Sequence, residues 1–119
     1  MIIYFNAINL IVKVKIEMLF IVYYEFNPNL DPEDMFTAYQ KIAEAEIDLG
    51  NSETKSWYMT PEHWGVAIIE SDSVESMMKN AYMWRVALPG IFKTYNVAPV
   101  AEVEGVVPIL AKMMRKINK

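Results

Sequence analysis

The sequence contains no cysteine, a single histidine and only four glycines in 119 residues. Without cysteine there is no disulfide scaffold, no thiolate metal centre and no thiol nucleophile. A hydroxyl-nucleophile triad would have to recruit His63, and no Gly-x-Ser-x-Gly elbow accompanies it. A metal site built on His63 would need converging carboxylates, whereas Glu62 is merely adjacent, so no metal ion is expected. The four glycines form neither Gly-x-Gly-x-x-Gly nor a phosphate-cradling loop, and no nucleotide cofactor is expected either. Bases are outnumbered 11 to 15, giving a net charge of −4 and a pI near 5.0, which argues against a nucleic-acid partner. No apolar run reaches the roughly 20 residues of a membrane-spanning helix. A cytoplasmic protein is the expectation.

What is present is apolar. Hydrophobic residues make up 54% and charged residues 22%, with nine methionines, enough for one core in a chain of single-domain length. The excess predicts that part of the apolar surface ends in a subunit interface, and hence a homodimer, because monomers rarely leave large apolar patches in water.

The chain divides into three parts: an extension over 1–17, a domain over 18–104 and a helical tail over 105–119. Met1–Leu10 lacks the charged start and small-residue cleavage site of a secretory signal. For the extension two alternatives stand, a natural start at Met18 or an added strand over Ile8–Ile16, where apolar and basic residues alternate. Leu19–Phe26 is β-branched and aromatic throughout, the pattern of a central strand covered on both faces. Asp31-Pro32-Glu33-Asp34 opens a helix with an N-cap acceptor, proline in the first turn and acids at the positive helix end. Phe36, Tyr39, Ile42, Ala43 and Ile47 form its apolar face, and Gly50-Asn51 its end. Two strands, Glu53–Thr60 and Trp64–Glu70, flank a Pro61-Glu62-His63 turn.

A second helix follows a capping-box pattern, Asp72 with Glu75, and carries Val74, Met77, Met78, Ala81, Tyr82 and Arg85 on one face. Leu88-Pro89-Gly90 stops it. The last strand, Phe92–Val103, contains Pro99, which cannot donate to a ladder and so predicts a sheet edge or bulge. After Gly105 an amphipathic helix places Val106, Ile109, Leu110, Met113, Met114 and Ile117 opposite Lys112, Lys116 and Lys119. Its stripe is expected to dock on its own domain or on a dimer mate rather than on a membrane surface. The order β-α-β-β-α-β defines an α+β, ferredoxin-like sandwich with an extra C-terminal helix.

Across Met18–Glu104 the chain resembles a family of short prokaryotic proteins of the dimeric α/β-barrel class, catalogued as a domain of unknown function. The resemblance is carried by Met18-Leu19-Phe20-Ile21-Val22-Tyr23-Tyr24, the Trp57-Tyr58 pair, Val66-Ala67-Ile68-Ile69-Glu70, Trp84 and Tyr95-Asn96-Val97-Ala98-Pro99-Val100. Family members often have tryptophan at the position of Tyr24 and tryptophan followed by histidine at Trp57-Tyr58. The resemblance implies the fold, dimerisation and a cavity between helices and sheet.

Two functions are compatible with these residues. One is a small-molecule-binding, regulatory or assembly module whose apolar ligand is held by Tyr24, Trp57, Trp84 and Tyr95, with Tyr23, Tyr58 and Trp64 as further aromatic candidates. The other is a cofactor-independent isomerase or monooxygenase-like enzyme acting on an aromatic or enolisable substrate, with Glu70 or Tyr58 as acid/base and Glu25 as a lesser candidate. Glu70 ends an apolar strand on the face of Val66 and Ile68, where burial would favour a protonated carboxyl. The second function requires Trp57, Tyr58, Glu70 and Trp84 to meet between sheet and helices.

Overall fold

The computed structural model describes residues 17–119. The alternatives for the N-terminal extension concern residues outside that range. Four antiparallel strands, β1 (Met18–Phe26), β2 (Ser52–Met59), β3 (Trp64–Ser71) and β4 (Phe92–Val100), form one sheet in the order β2-β3-β1-β4. Helices α1 (Pro32–Ala45) and α2 (Val74–Ala87) make the two crossovers, and α3 (Val103–Ile117) follows β4. This is the ferredoxin-like βαββαβ order with an added C-terminal helix.

β1 lies between β3 and β4, the central place its apolar run predicts. Its alternation is sharp: Phe20, Val22 and Tyr24 are buried toward the helices, while Leu19, Ile21 and Tyr23 on the other face are only half-buried. The expected cover on both faces is therefore met on one side by this chain. Pro99 falls on the edge strand β4, opposite Phe20, where a missing donor costs the sheet nothing on its open side.

The helices depart from their expected faces. α1 begins as predicted, with Asp31 accepting from the Glu33 amide at 2.9 Å. It ends at Ala45 rather than at Gly50, because Glu46 adopts a left-handed conformation (φ 48°) that turns the chain toward β2. Only Ala38 is buried, flanked by the half-buried Met35 and Ile42. Of the predicted face Ile42 is thus half-buried, while Phe36, Tyr39, Ala43 and Ile47 are exposed.

α2 is capped by Ser73, whose hydroxyl accepts from the Ser76 amide at 3.2 Å, not by Asp72. Asp72 instead receives a hydrogen bond from the Asn51 amide group at 3.0 Å, which ties the start of β2 to the end of β3. Of the predicted apolar face Met77 is buried, while Val74, Met78 and Tyr82 are exposed. The inward side also carries Asn80, Met83 and Trp84. β4 stops at Val100, short of the expected Val103, because α3 starts two residues earlier than Gly105.

Gly65 explains how the sheet accommodates a buried tyrosine. Tyr24 pairs with Gly65, and Gly65 with Met59 on the far strand. A Cβ at this position would collide with the Tyr58 carbonyl oxygen and the Tyr24 hydroxyl. The tyrosine crosses β3 because β3 has no side chain there. Gly65→Ala is expected to lower stability by about 1–3 kcal/mol, the range for overpacking a fitted interior; a urea midpoint unchanged from the parent chain would contradict this.

Candidate functional site

The space between sheet and helices holds a cavity of about 280 Å³. Its floor is the helix-facing side of β1 and β3, through Val22, Tyr24, Ala67 and Ile69, and its walls are aromatic. Trp57 and Trp84 meet edge to face with ring centroids 5.9 Å apart, and Tyr39 lies 6.4 Å from Trp84. On the opposite wall Phe26 stacks on Phe92 at 5.9 Å, and Phe92 is 4.7 Å from Tyr95. Such pairings orient their rings beyond what area burial alone requires.

A relay of two hydrogen bonds sets the position of Trp57. Its indole Nε1 donates to the Tyr24 hydroxyl at 2.9 Å, and that hydroxyl donates to the Tyr58 carbonyl at 2.8 Å. Burial pushes the Tyr24 phenol above its ordinary range, with the indole donor pulling partly the other way. Tyr95 is raised by burial too, offset in part by the Arg85 guanidinium 5.2 Å above its ring.

A bulge in β2 supplies the remaining wall. Thr54 pairs with Ile69 and Ser56 with Ile68, so Lys55 is the extra residue. Residues three apart on a regular strand point to opposite faces; the bulge brings Thr54 and Trp57 to the same one. The mouth opens between α1 and β2, where Tyr39, Ala43, Thr54 and Trp57 are exposed.

The lining contains no aspartate, glutamate, lysine, arginine or histidine. Among the described residues the Thr54 hydroxyl, Asn80 amide, Trp84 indole N–H and Tyr95 hydroxyl make no hydrogen bond within the chain. The site can therefore surround a flat apolar body and offer neutral donors and acceptors to a polar substituent.

All four aromatic residues expected to hold a ligand, Tyr24, Trp57, Trp84 and Tyr95, line this cavity. Tyr58 and Glu70 do not join them. Both lie on the other face of the sheet, where Tyr58 is 67% exposed and Glu70 pairs with Lys55 at 3.4 Å. Their partners on β3 and β2 are Val66 and Glu53, which separates the two by about four residues, or ~13 Å, along the strands. The expected meeting of Trp57, Tyr58, Glu70 and Trp84 is thus half realised, because the strand period sends neighbours Trp57 and Tyr58 to opposite faces. Glu25 is on that far face as well, accepting from the Tyr23 hydroxyl at 3.0 Å. His63 sits exposed in the hairpin turn with φ 63°. Among the described residues no three His, Cys, Asp or Glu side chains cluster for a metal ion, and no helix is long and apolar enough to cross a membrane. Thr54, Asn80, Tyr39, Phe26 and Phe92 complete the cavity without having been singled out as ligand contacts; Thr54 was hidden by the bulge and Asn80 by the rotation of α2.

A family model described as a domain of unknown function (DUF3303) matches residues 18–114. No curated protein matches the chain. Among solved structures, a NIPSNAP family protein of unknown function from Agrobacterium tumefaciens is similar at 16% identity and a TM-score of 0.43, over 71% of this chain and 86% of that one. A dimeric ferredoxin-like protein of unknown function from Thermobifida fusca is similar at 15% identity and a TM-score of 0.41, over 75% and 93%.

Tyr24→Phe is expected to cost about 1–3 kcal/mol, because it leaves an indole donor and a strand carbonyl without their partner. The loss should appear in urea unfolding together with a shift in tryptophan emission. The raised phenols also fix a pH dependence. A tyrosine whose folded pKa lies above its unfolded 10.0 adds stability that is complete below pH 10 and is lost as pH rises through the folded value. Unfolding free energy should therefore fall above pH 10, and a flat profile there would contradict the burial of Tyr24 and Tyr95.

Proposed function

The chain belongs to the DUF3303 family, and we propose that it is a homodimeric module that holds a small, neutral, flat aromatic molecule between sheet and helices. The observation that carries this reading is the absence of any ionised side chain from an aromatic cavity lined by 16 residues. A charged ligand would lose its hydration there without gaining a partner. A neutral ring slots between Trp57, Trp84 and the Phe92–Tyr95 wall, and a ring oxygen is met by the Asn80 amide, the Trp84 N–H or the Tyr95 hydroxyl.

The homodimer is supported by the other side of the sheet. Ile21, Val66, Ile68 and Ala98 occupy its middle, with Tyr23, Tyr58 and Leu19 beside them and Glu25, Lys55, Glu70 and Lys93 around them. An apolar centre with a charged margin is the composition of an interface. A sheet face four strands wide and about eight residues long offers ~500 Å². Two copies face to face therefore bury ~1,000 Å², the lower bound for a specific complex.

Menadione, a neutral two-ring quinone, should quench Trp57 and Trp84 with one molecule bound per chain. 2-Naphthoate, of similar size but anionic, should bind at least tenfold more weakly, and Trp84→Ala should weaken the quinone by a similar factor. Equal affinity for the two probes would defeat the neutral-ligand reading. Separately, Ile68→Lys should raise the dimer dissociation constant at least tenfold by light scattering; a parent chain that is monomeric at micromolar concentration would defeat the dimer.

A further inference from the structure

We propose that the two α3 helices of the homodimer pair antiparallel with each other across one end of the facing sheets. This rests on the sheet-to-sheet dimer and is independent of any ligand.

None of the residues of α3 is buried, so its apolar side chains stand in water. Val103, Val106, Leu110, Met113 and Ile117 follow one another at steps of three, four, three and four, and each is between 45% and 79% exposed. That is the spacing of a seam between two helices. Leaving such a seam uncovered is costly.

The charges of α3 make a second copy of itself the matching partner. Glu102 and Glu104 stand at its start, and Lys112, Arg115, Lys116 and Lys119 follow only in its second half. Acids first and bases last suit any single helix through its dipole. Beside an open apolar seam, the same polarity is also self-complementary about a two-fold axis. With Leu110 set opposite Met113 of the second copy and Val106 opposite its Ile117, Glu102 and Glu104 come beside the Lys116 and Lys119 of that copy. A parallel pair would instead bring all the cations of both helices together. Exposed ion pairs add little affinity, but they decide orientation.

The sheet dimer brings the two helices within reach. The order β2-β3-β1-β4 leaves β4 on an edge. When two sheets face each other about a two-fold axis along the strands, both β4 strands finish at the same end of the pair, on opposite edges. Three strand spacings one way and one sheet separation the other put these finishes ~17 Å apart. α3 has 15 residues, a length of ~22 Å. Each helix therefore reaches from its own β4 to that of the other copy, and the link Ala101–Glu102 has only to turn. Helices that continued along the strands would lie parallel, the arrangement that charge opposes.

The flanks of the seam agree with this position. In a two-fold antiparallel pair Val107 and Met114 of both copies fall on one side. That side meets the sheet end, where Met18 and Val100 are 43% and 37% exposed. An overlap of about 12 residues gives a contact of ~18 Å by ~10 Å on each helix. The resulting ~360 Å² joins the ~1,000 Å² between the sheets and brings the dimer into the range of ~1,200–2,000 Å² for stable specific interfaces.

The parent chain contains no cysteine, so introduced thiols report on α3 alone. Full-length Val106→Cys and full-length Ile117→Cys are mixed, left to exchange subunits and treated with a short bis-maleimide. The expected product is a covalent pair with one chain of each kind, identified by mass, at a yield at least tenfold above that of Val106→Cys treated alone. Two copies of residue 106 lie ~16 Å apart along an antiparallel pair but adjacent in a parallel one. Equal yields therefore overturn the proposal. So does closure of a Met78→Cys/Leu110→Cys chain at monomer mass without the 106–117 product, which would fold α3 into the groove between its own α2 and β4. Binding of the parent chain to phosphatidylserine vesicles without that product overturns it as well.

Leu110→Glu provides the second arm, since Leu110 is 57% exposed within its own chain. It should raise the dimer dissociation constant at least fivefold by light scattering with unchanged circular dichroism; an unchanged constant overturns the helix pair. A parent chain that is dimeric by light scattering yet gives no 106–117 product removes the helix pair and leaves the sheet interface standing, whereas a monomeric parent chain removes both.

Discussion

The phenol of Tyr24 crosses a strand, and most of the helix-facing layer is arranged around that crossing. Its side chain leaves β1, passes over β3 where Gly65 presents no Cβ, and ends at β2, where it accepts from Trp57 and donates to the Tyr58 carbonyl. Three strands are thereby held by one side chain in addition to their ladders. The same bond fixes the plane of Trp57, and through the edge contact with Trp84 it sets the distance between β2 and α2. A buried hydroxyl with both of its functions used is a strong constraint, because loss of either partner leaves a polar atom stranded in an apolar layer.

That layer is not filled. α1 contributes one small buried residue, Ala38, and directs its larger side chains to the mouth or to water. Helices seated on small residues usually come close to a sheet. Here the bulky Trp57, Trp84, Phe92 and Tyr95 rings prop the layers apart, and the cavity is the space their rigid planes leave. The two sides of the sheet consequently divide the work: aromatic and neutral toward the helices, aliphatic with a charged margin away from them. Adjacent residues Trp57 and Tyr58 belong to different surfaces for no deeper reason than the period of a strand.

The strand run of β1, the proline-marked edge of β4, the Pro61-Glu62-His63 turn, the Leu88-Pro89-Gly90 stop and the helix start at Asp31 were legible because each is written in a few neighbouring residues. So was the aromatic quartet of the cavity, since the resemblance ran through Tyr24, Trp57, Trp84 and Tyr95, three of which also stand in the strand runs. What escaped was rotational. Ile42 of α1 was expected inward and is half-buried, but whether Phe36, Tyr39 and Ala43 or Met35 and Ala38 share its side is not written in the sequence, because both choices are apolar. Ser73 competes with Asp72 for the cap of α2, and tertiary pairing of Asp72 with Asn51 decides it. The pairing of Glu70 and Tyr58 with the cavity failed on a face assignment. The bulge at Lys55 alters which β2 residues share a side, and nothing in Thr-Lys-Ser announces it.

The bulge and the proline have one more effect. An open antiparallel sheet ends in two rows of unpaired amides and carbonyls, each a template on which another chain can add a strand. On β2 the ladder is broken at Lys55, which also leaves an ammonium group on that edge; on β4 Pro99 withholds a donor. Copies of this chain crowded together at high concentration are thus discouraged from zipping edge to edge into fibrillar stacks.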